Sequence, residues 1–369
     1  VEETWIEEKH FVSSIYMPWA KQHSRSTYNL ATSGLAHWKL RDLPIRMEDL
    51  EISGPSFYGY PPLQEALAKH CGVSAERIAA ATGTSMANYL ALAATLQPGD
   101  DVLIESPTYE LILAAASQIG ARIQRFKRTH ESGFALDPRA IDRALTSRTK
   151  LIVITNLHNP SSALTDESTM REISRIAKRA GARVLADEVY LDAAFEKAPR
   201  SAAFLGDHFI VTSSLTKVYG LSGLRCGWII ADPDLTQKIW RLNDLFGVIP
   251  AHMAELASII ALGELPRIRE NVRARLDANR TALHRFFDSR PELDAPRFSS
   301  GTVAFPKLLN GSVDRLCDVL RTKYDTTVVP GKYFEMPDHF RIGIGGDLEP
   351  LEEGLRRIGQ ALDDISSTI

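Results

Sequence analysis

Seven short apolar runs recur between residues 77 and 231: "RIAAAT" (77–82), "DVLIES" (101–106), "ARIQRF" (121–126), "KLIVIT" (150–155), "ARVLAD" (182–187), "HFIVTS" (208–213) and "CGWIIA" (226–231). Each is of strand length, and most carry β-branched residues. Helical patterns separate most of them. "SMANYLALAATLQPGD" has a Ser start, an Ala/Leu body and a Pro-Gly stop, and "DESTMREISRIAKRAG" has a polar start and a Gly stop. Alternation of this kind constrains the chain to an α/β fold, a mostly parallel seven-stranded sheet covered by helices on both faces. "CGWIIA" follows "HFIVTS" through a loop without a clear helix, so it is expected to be the antiparallel exception.

After about residue 250 the pattern changes. Long helices (253–290) precede the strand-like "GTVAFPKLL", "DTTVVP" and "HFRIGIGG", and a helix closes the chain near 350–366. The expectation is a large domain over 45–250 and a smaller α+β domain over 251–369, with residues 1–44 folding back onto it. The 369 residues, 44% of them hydrophobic, suffice for a large core. A net charge of −3 gives no basic field for nucleic acid. The three cysteines form no CxxC pair, and the ten histidines never fall at HxxxH spacing, so neither a disulfide framework nor a zinc site is expected. There is no apolar run of membrane-spanning length, and "VEETWIEEKH" is too acidic for a signal peptide, so no membrane is expected and the cytoplasm is.

Ligands of open α/β sheets bind at the carboxyl ends of the strands. Gly83, Thr84 and Ser85 follow the first run and open a helix, an arrangement suited to an anion. Tyr109 follows the second, and Asn159 follows "KLIVIT" in "NLHNPSS". Asp187 ends "ARVLAD", with Tyr190 just beyond. Ser214 and Lys217 follow "HFIVTS" in "SSLTKVYGLSGLRCGW", which also holds Arg225. Taken singly these residues have ordinary readings: a helix cap, a packed phenol, an Asn-Pro turn, a solvated lysine, a salt-bridged arginine. Together, in this order, they would bring one acid, one lysine, one amide, two phenols and an anion cup to a single sheet edge.

"SSLTKVYGLSGLRCGW", "ADEVY" and "NLHNP" together resemble the motifs of fold-type-I pyridoxal-phosphate enzymes of the class I/II aminotransferase family, and the resemblance runs from about Tyr58 to Arg341. It implies a pyridoxal 5′-phosphate cofactor held as a Schiff base by Lys217, which is later freed to move the proton between Cα and the cofactor. Asp187 would pair with the ring nitrogen. Asn159 and Tyr190 would hold the phenolic oxygen, and Tyr109 would stack on the ring. Gly83, Thr84, Ser85, Ser214 and Arg225 would form the phosphate cup. Arg341, in "HFRIGIGG", would grip the substrate carboxylate, and Gly34, in "ATSGLA", would lie where the N-terminal segment meets the substrate. Tyr58, rather than Tyr60, would reach the phosphate of a neighbouring subunit, which implies a homodimer with shared sites.

The sequence departs from the family pattern at two places. Ser162 replaces the usual glycine of Asn-Pro-x-Gly, and a local adjustment of the turn is expected rather than loss of the Asn159 contact. "YGYPPLQEAL" lacks the usual glycine before its helix. The expected reaction is transfer of an amino group from an L-amino acid to a 2-oxo acid. β-Elimination, racemisation, decarboxylation and cyclisation share the same cofactor chemistry and are the alternatives. "TYNLATSGLAHWKL" also resembles segments in relatives that modify arginine-type substrates. Tyr16, Trp19, Trp38 and His158 are expected to line the substrate side, favouring a neutral or aromatic amino donor. A regulator with a basic helix-turn-helix is not expected, because residues ahead of 58 leave no room for one.

Overall fold

The computed structural model describes residues 12–35 and 38–366. The acidic opening and Ala36 and His37 of "ATSGLAHW" lie outside them. In chain order the strands are β1 (Tyr28–Asn29), β2 (Ile78–Thr82), β3 (Asp101–Ser106), β4 (Arg122–Lys127), β5 (Thr149–Thr155), β6 (Arg183–Asp187), β7 (Phe209–Ser214), β8 (Cys226–Ile230), β9 (Leu293–Asp294), β10 (Val303–Ala304), β11 (Lys307–Leu308), β12 (Thr326–Thr327), β13 (Val329–Pro330) and β14 (Phe340–Gly343). The helices are α1 (Tyr16–Gln22), α2 (Pro61–Cys71), α3 (Gly83–Thr95), α4 (Glu110–Ile119), α5 (Pro138–Ala144), α6 (Glu167–Ala180), α7 (Pro233–Asn243), α8 (His252–Gly263), α9 (Leu265–Asp288), α10 (Val313–Tyr324) and α11 (Leu348–Ser366).

Seven strands form the large sheet in the order β2-β8-β7-β6-β5-β3-β4. All seven expected runs are strands, with ends within one residue of the expected limits. The α6 helix shows why such limits are legible. The Asp166 side chain accepts from the Thr169 N–H at its start, and Gly181 takes the left-handed conformation at its end. The α3 helix begins at Gly83, two residues before the expected Ser85.

Only β8 runs against its neighbours β2 and β7. A parallel return would need a crossover of a dozen or more residues, usually a helix, and the link 215–225 holds a single short turn of 3-10 helix. The reversal has a consequence for the site. Gly227 pairs with Ser214 and Cys226 with Thr82, so the residue before β8, Arg225, arrives at the carboxyl edge of the other six strands. Gly227 permits this approach, since a Cβ there would lie 2.6 Å from the Gly83 carbonyl carbon.

The C-terminal part packs α9, α10 and α11 around the three-stranded sheet β10-β14-β13. β1 pairs in parallel with β12, so the N-terminal segment is carried by this part. A second apolar cluster of Tyr16, Phe134, Phe305, Val329 and Phe334 ties α1 to both parts of the chain. Among the described residues, no helix is long and apolar enough to cross a membrane.

Candidate active site

A cavity of about 330 Å³ opens at the carboxyl edge of the sheet and is lined by Thr84, Ser85, Tyr109, Asn159, Asp187, Tyr190, Ser214, Lys217, Arg225 and Arg341 among others. Strand direction explains the convergence. Asp187 closes β6, Ser214 closes β7 with Lys217 three residues on, and Thr84 and Ser85 begin α3 directly after β2. A wider cleft of about 960 Å³ lies elsewhere, lined by residues such as Lys69, His70, Arg269 and Arg273, and contains none of the strand-end residues.

One end of the cavity is built for an anion. Thr84 Oγ1 donates to Ser214 Oγ at 2.8 Å, and Arg225 Nη2 donates to the Thr82 carbonyl at 3.2 Å. The first N–H groups of the thirteen-residue α3 start here. Gly83 has φ +76, and any side chain on it would overlap the Arg225 guanidinium, so the guanidinium lies over bare backbone. Arg225 itself is left-handed at φ 50. This end is open: Ser85 and Arg225 are both exposed.

At the floor, Asp187 is buried. Its Oδ2 accepts from Asn88 Nδ2 at 2.8 Å and its Oδ1 from the Val189 N–H at 3.1 Å. Asn88 in turn accepts from Thr212 Oγ1 at 2.6 Å. Burial pushes the Asp187 carboxyl up to about 6 against the pull of those donors and of Lys217. The Lys217 amine is pushed down, first by burial and then by Arg341. It donates to Ser33 Oγ at 3.2 Å, and the Tyr190 hydroxyl donates to the same oxygen at 2.8 Å. Burial raises Tyr190 and Tyr109.

Arg341 is buried at the opposite wall. Its Nη1 donates to Asn159 Oδ1 at 2.9 Å, and its Nη2 to the Ala31 carbonyl at 2.8 Å and to the Tyr16 hydroxyl at 3.3 Å. Its Nε is buried without a hydrogen-bond partner among the described residues. The Asn159 contact coexists with Ser162 in the left-handed region at φ 61. Tyr109 meets Tyr16 edge-on at 6.0 Å.

Three of the residues expected on the substrate side, Trp19, Trp38 and His158, do not line the cavity. Tyr58 is exposed outside the cavity and its hydroxyl donates to Asp244 Oδ2 at 3.0 Å, whereas Tyr60 turns inward against His252. Gly34 contributes backbone beside Lys217, whose carbonyl accepts from the Leu35 N–H at 2.9 Å. Of the four aromatic residues expected on the substrate side, only Tyr16 lines the cavity. Trp19 stacks between Tyr16 and His23, Trp38 lines a different cavity, and His158 is buried against the Pro107 carbonyl. Ser33 and Asn88 are site residues that the motifs do not mark. Asn88 carries one signal, because it lies four residues after Thr84 and so on the same helix face. Among the described residues, no group of three or more His, Cys, Asp or Glu side chains could hold a metal ion.

The sequence pattern described as aminotransferase class I and II matches residues 46–358. Capreomycidine synthase of Streptomyces vinaceus is 29% identical over 98% of this chain and 92% of its own. Arginine–pyruvate transaminase of Pseudomonas aeruginosa is 27% identical over 78% of this chain and 75% of its own. The crystal structure of a PLP-dependent aminotransferase from Streptococcus suis superposes with a TM-score of 0.89 at 26% identity, covering 95% of this chain and 97% of that one. With the fold, the signature around Lys217 and this match over most of its length, the chain belongs to the class I and II aminotransferase family of pyridoxal-phosphate-dependent enzymes.

Proposed function

We propose that this enzyme transfers the amino group of an L-amino acid to a 2-oxo acid, with Lys217 as the residue that carries the cofactor. The observation that carries the reading is a single lysine among the cavity-lining residues, set between a buried carboxylate, Asp187, and a buried guanidinium, Arg341.

The residues fit pyridoxal phosphate. The open anion end offers Thr84, Ser85, Ser214, Arg225 and the start of α3 to a phosphate. Among the described residues Asp187 has no cationic hydrogen-bond partner, and it would gain one from a protonated ring nitrogen. Asn159 and Tyr190 would hold the phenolic oxygen, and Tyr109 would cover the ring. Thr155 Oγ1, Thr216 Oγ1 and Arg341 Nε are buried without partners among the described residues, polar capacity that a polar ligand would use. When bound, the cofactor supplies an electron sink for the pair left as the Cα proton departs. Lys217 Nζ, its proton affinity lowered by its surroundings, takes that proton and returns it. Arg341 grips the substrate carboxylate and fixes which bond at Cα faces the lysine.

Two further points belong to this reading. We propose a cytoplasmic homodimer; the open phosphate end and exposed apolar side chains that reach α3 support the dimer. Phe246 packs edge-on against Tyr89 of α3, Leu245 and Val248 beside it in sequence are exposed, and the exposed Tyr58 is joined to this segment by its bond to Asp244. We also propose the division into a large domain (45–250) and a smaller one made of both chain ends, supported by the β1–β12 pairing.

The test is direct. The purified protein should be yellow, and borohydride should fix the cofactor to the peptide containing Lys217. A panel of amino acids, arginine included because one relative is an arginine–pyruvate transaminase, should yield a 2-oxo acid stoichiometric with the aminated cofactor. Release of ammonia, or a racemised or cyclised product without that oxo acid, would overturn transamination.

A further inference from the structure

The strap 30–35 is irregular backbone tied at several points to the walls of the site. The Leu30 N–H donates to the Thr327 carbonyl at 2.8 Å, and the Leu30 carbonyl accepts from the Gly343 N–H at 2.7 Å. The Ala31 carbonyl accepts from Arg341, the Ser33 carbonyl from Thr302 Oγ1 at 2.7 Å, and the Leu35 N–H donates to the Lys217 carbonyl. Side chains at Gly343 and Gly345 would overlap the carbonyl oxygens of Thr32 and Gly34, so these two glycines let the strap lie flat on β14 and the loop after it. Held in this way, Ser33 is 5% exposed and lines the cavity.

Its side-chain oxygen is the common acceptor of Tyr190 OH and Lys217 Nζ. Among the described residues, neither of those groups makes another hydrogen bond. A hydroxyl that accepts twice keeps its own proton to donate. We infer that Ser33 is a positioning residue: its hydroxyl holds Lys217 and Tyr190 on one oxygen whenever the lysine is free, and so sets the pH at which that lysine works as a base. This inference rests on the reading of Lys217 given above.

The physical argument is one of partners. Burial and the charges of Arg341 and Arg225 disfavour an ammonium at Lys217, while Tyr16 and Asp187 favour it. The Ser33 oxygen is the one hydrogen-bond acceptor that the ammonium has among the described residues. A bond from a charged donor is stronger than a neutral one, so losing it weakens the protonated lysine more than the neutral one. The Thr302 bond to the Ser33 carbonyl does not depend on the side chain, so the strap should keep its path when the hydroxyl is removed.

The test compares Ser33→Ala and Ser33→Thr with the parent holoenzyme. In Ser33→Ala the acid limb of the kcat profile should move down by about one pH unit, a tenfold change in proton affinity. The kcat at its optimum should fall about tenfold with KM changed less than about twofold, as expected when a proton-transfer group is misplaced. In the full chain freed of cofactor, the pH midpoint of Lys217 acetylation, followed by mass spectrometry, should move by the same amount. Ser33→Thr should restore both midpoints. A lower kcat with both midpoints unmoved would reduce Ser33 to a structural role and overturn the inference. Cofactor fixed by borohydride to a different lysine would instead sink the functional reading, and the acetylation midpoint would still report on Ser33.

Discussion

Ser162 occupies space that Gly301 leaves empty. A side chain on Gly301 would overlap the Ser162 hydroxyl, which donates to the Val303 carbonyl at 2.7 Å. Ser162 stands at φ 61 and Gly301 at φ 105, so the unusual serine is matched by a glycine opposite it. Alongside this adjustment Asn159 still meets Arg341. The positive φ costs the serine energy, and its buried hydrogen bond returns a similar amount.

Ser162→Gly should therefore change stability by less than about 1 kcal/mol. Gly301→Ala should destabilise by about 2–4 kcal/mol, because it adds both an overlap and backbone strain. The double variant should recover part of that loss, since the overlap goes and the strain at 301 stays. Urea unfolding of the four proteins measures the cycle, and additive single effects would show that the two positions are not coupled.

Asp187 opposes stability in the chain freed of cofactor. Its folded value is about 6, against roughly 3.9 for an unfolded aspartate. Between those values the unfolded chain loses its proton first, so stability falls as pH rises from about 4 to 6 and stays reduced above. Asp187→Asn should make the cofactor-free chain more stable at pH 7.5 by about 1–3 kcal/mol and leave it unchanged at pH 4. The same substitution should cut the amino-acid half-reaction by at least about 10²-fold, since the ring nitrogen loses its carboxylate. A cofactor-free variant no more stable than its parent at pH 7.5 would contradict the burial argument.

His158 shows the opposite sign. Its Nε2 donates to the Pro107 carbonyl at 3.0 Å, and its Nδ1 lies 2.6 Å from the Ser161 hydroxyl, which can donate to it in the neutral ring. Burial and Arg128 hold it well below 6.5. The unfolded histidine takes up a proton as pH falls below about 6.5 while the folded one does not, so stability is lost on acidification. Replacing His158 with Gln should flatten the stability profile between pH 5 and 6 by up to one proton, about 1.4 kcal/mol per pH unit. An unchanged slope in unfolding experiments across that range would show that His158 is already charged in the fold.

The strand-end residues were legible because short continuous apolar runs, each followed by polar residues, repeat locally, and the six mutually parallel strands bring their carboxyl ends to one edge. Lys217, Asp187 and Arg225 could be read in this way. Ser33 could not, because its two bonds span 157 and 184 residues, and "ATSGLA" carries no local mark of either. The Asn88–Asp187 bond spans 99 residues and left only the helical spacing from Thr84 as a trace. Trp19, Trp38 and His158 were misplaced for the same reason: an aromatic residue announces burial, and which cavity it lines is decided by packing among distant elements.

The open phosphate end leads to the last prediction. Tyr58 is 55% exposed on a loop tied by its hydroxyl to Asp244, and the following residues Leu245, Phe246 and Val248 expose apolar side chains. Large exposed apolar patches mark interfaces, and a two-fold interface would place the Tyr58 loop of each chain against the other. In the proposed dimer Tyr58 reaches the phosphate end of its partner's site, so neither chain completes its own. Tyr58→Ala and Lys217→Ala should each be strongly impaired. When they are mixed in equal amounts after dissociation, half the dimers are mixed, and each rebuilds one intact site from Lys217 of one chain and Tyr58 of the other. Activity should return to about a quarter of the parent value, the statistical limit for a shared site in a closed dimer. Sedimentation should show dimers throughout. No recovery on mixing, or full activity in a monomer at high dilution, would remove the shared site.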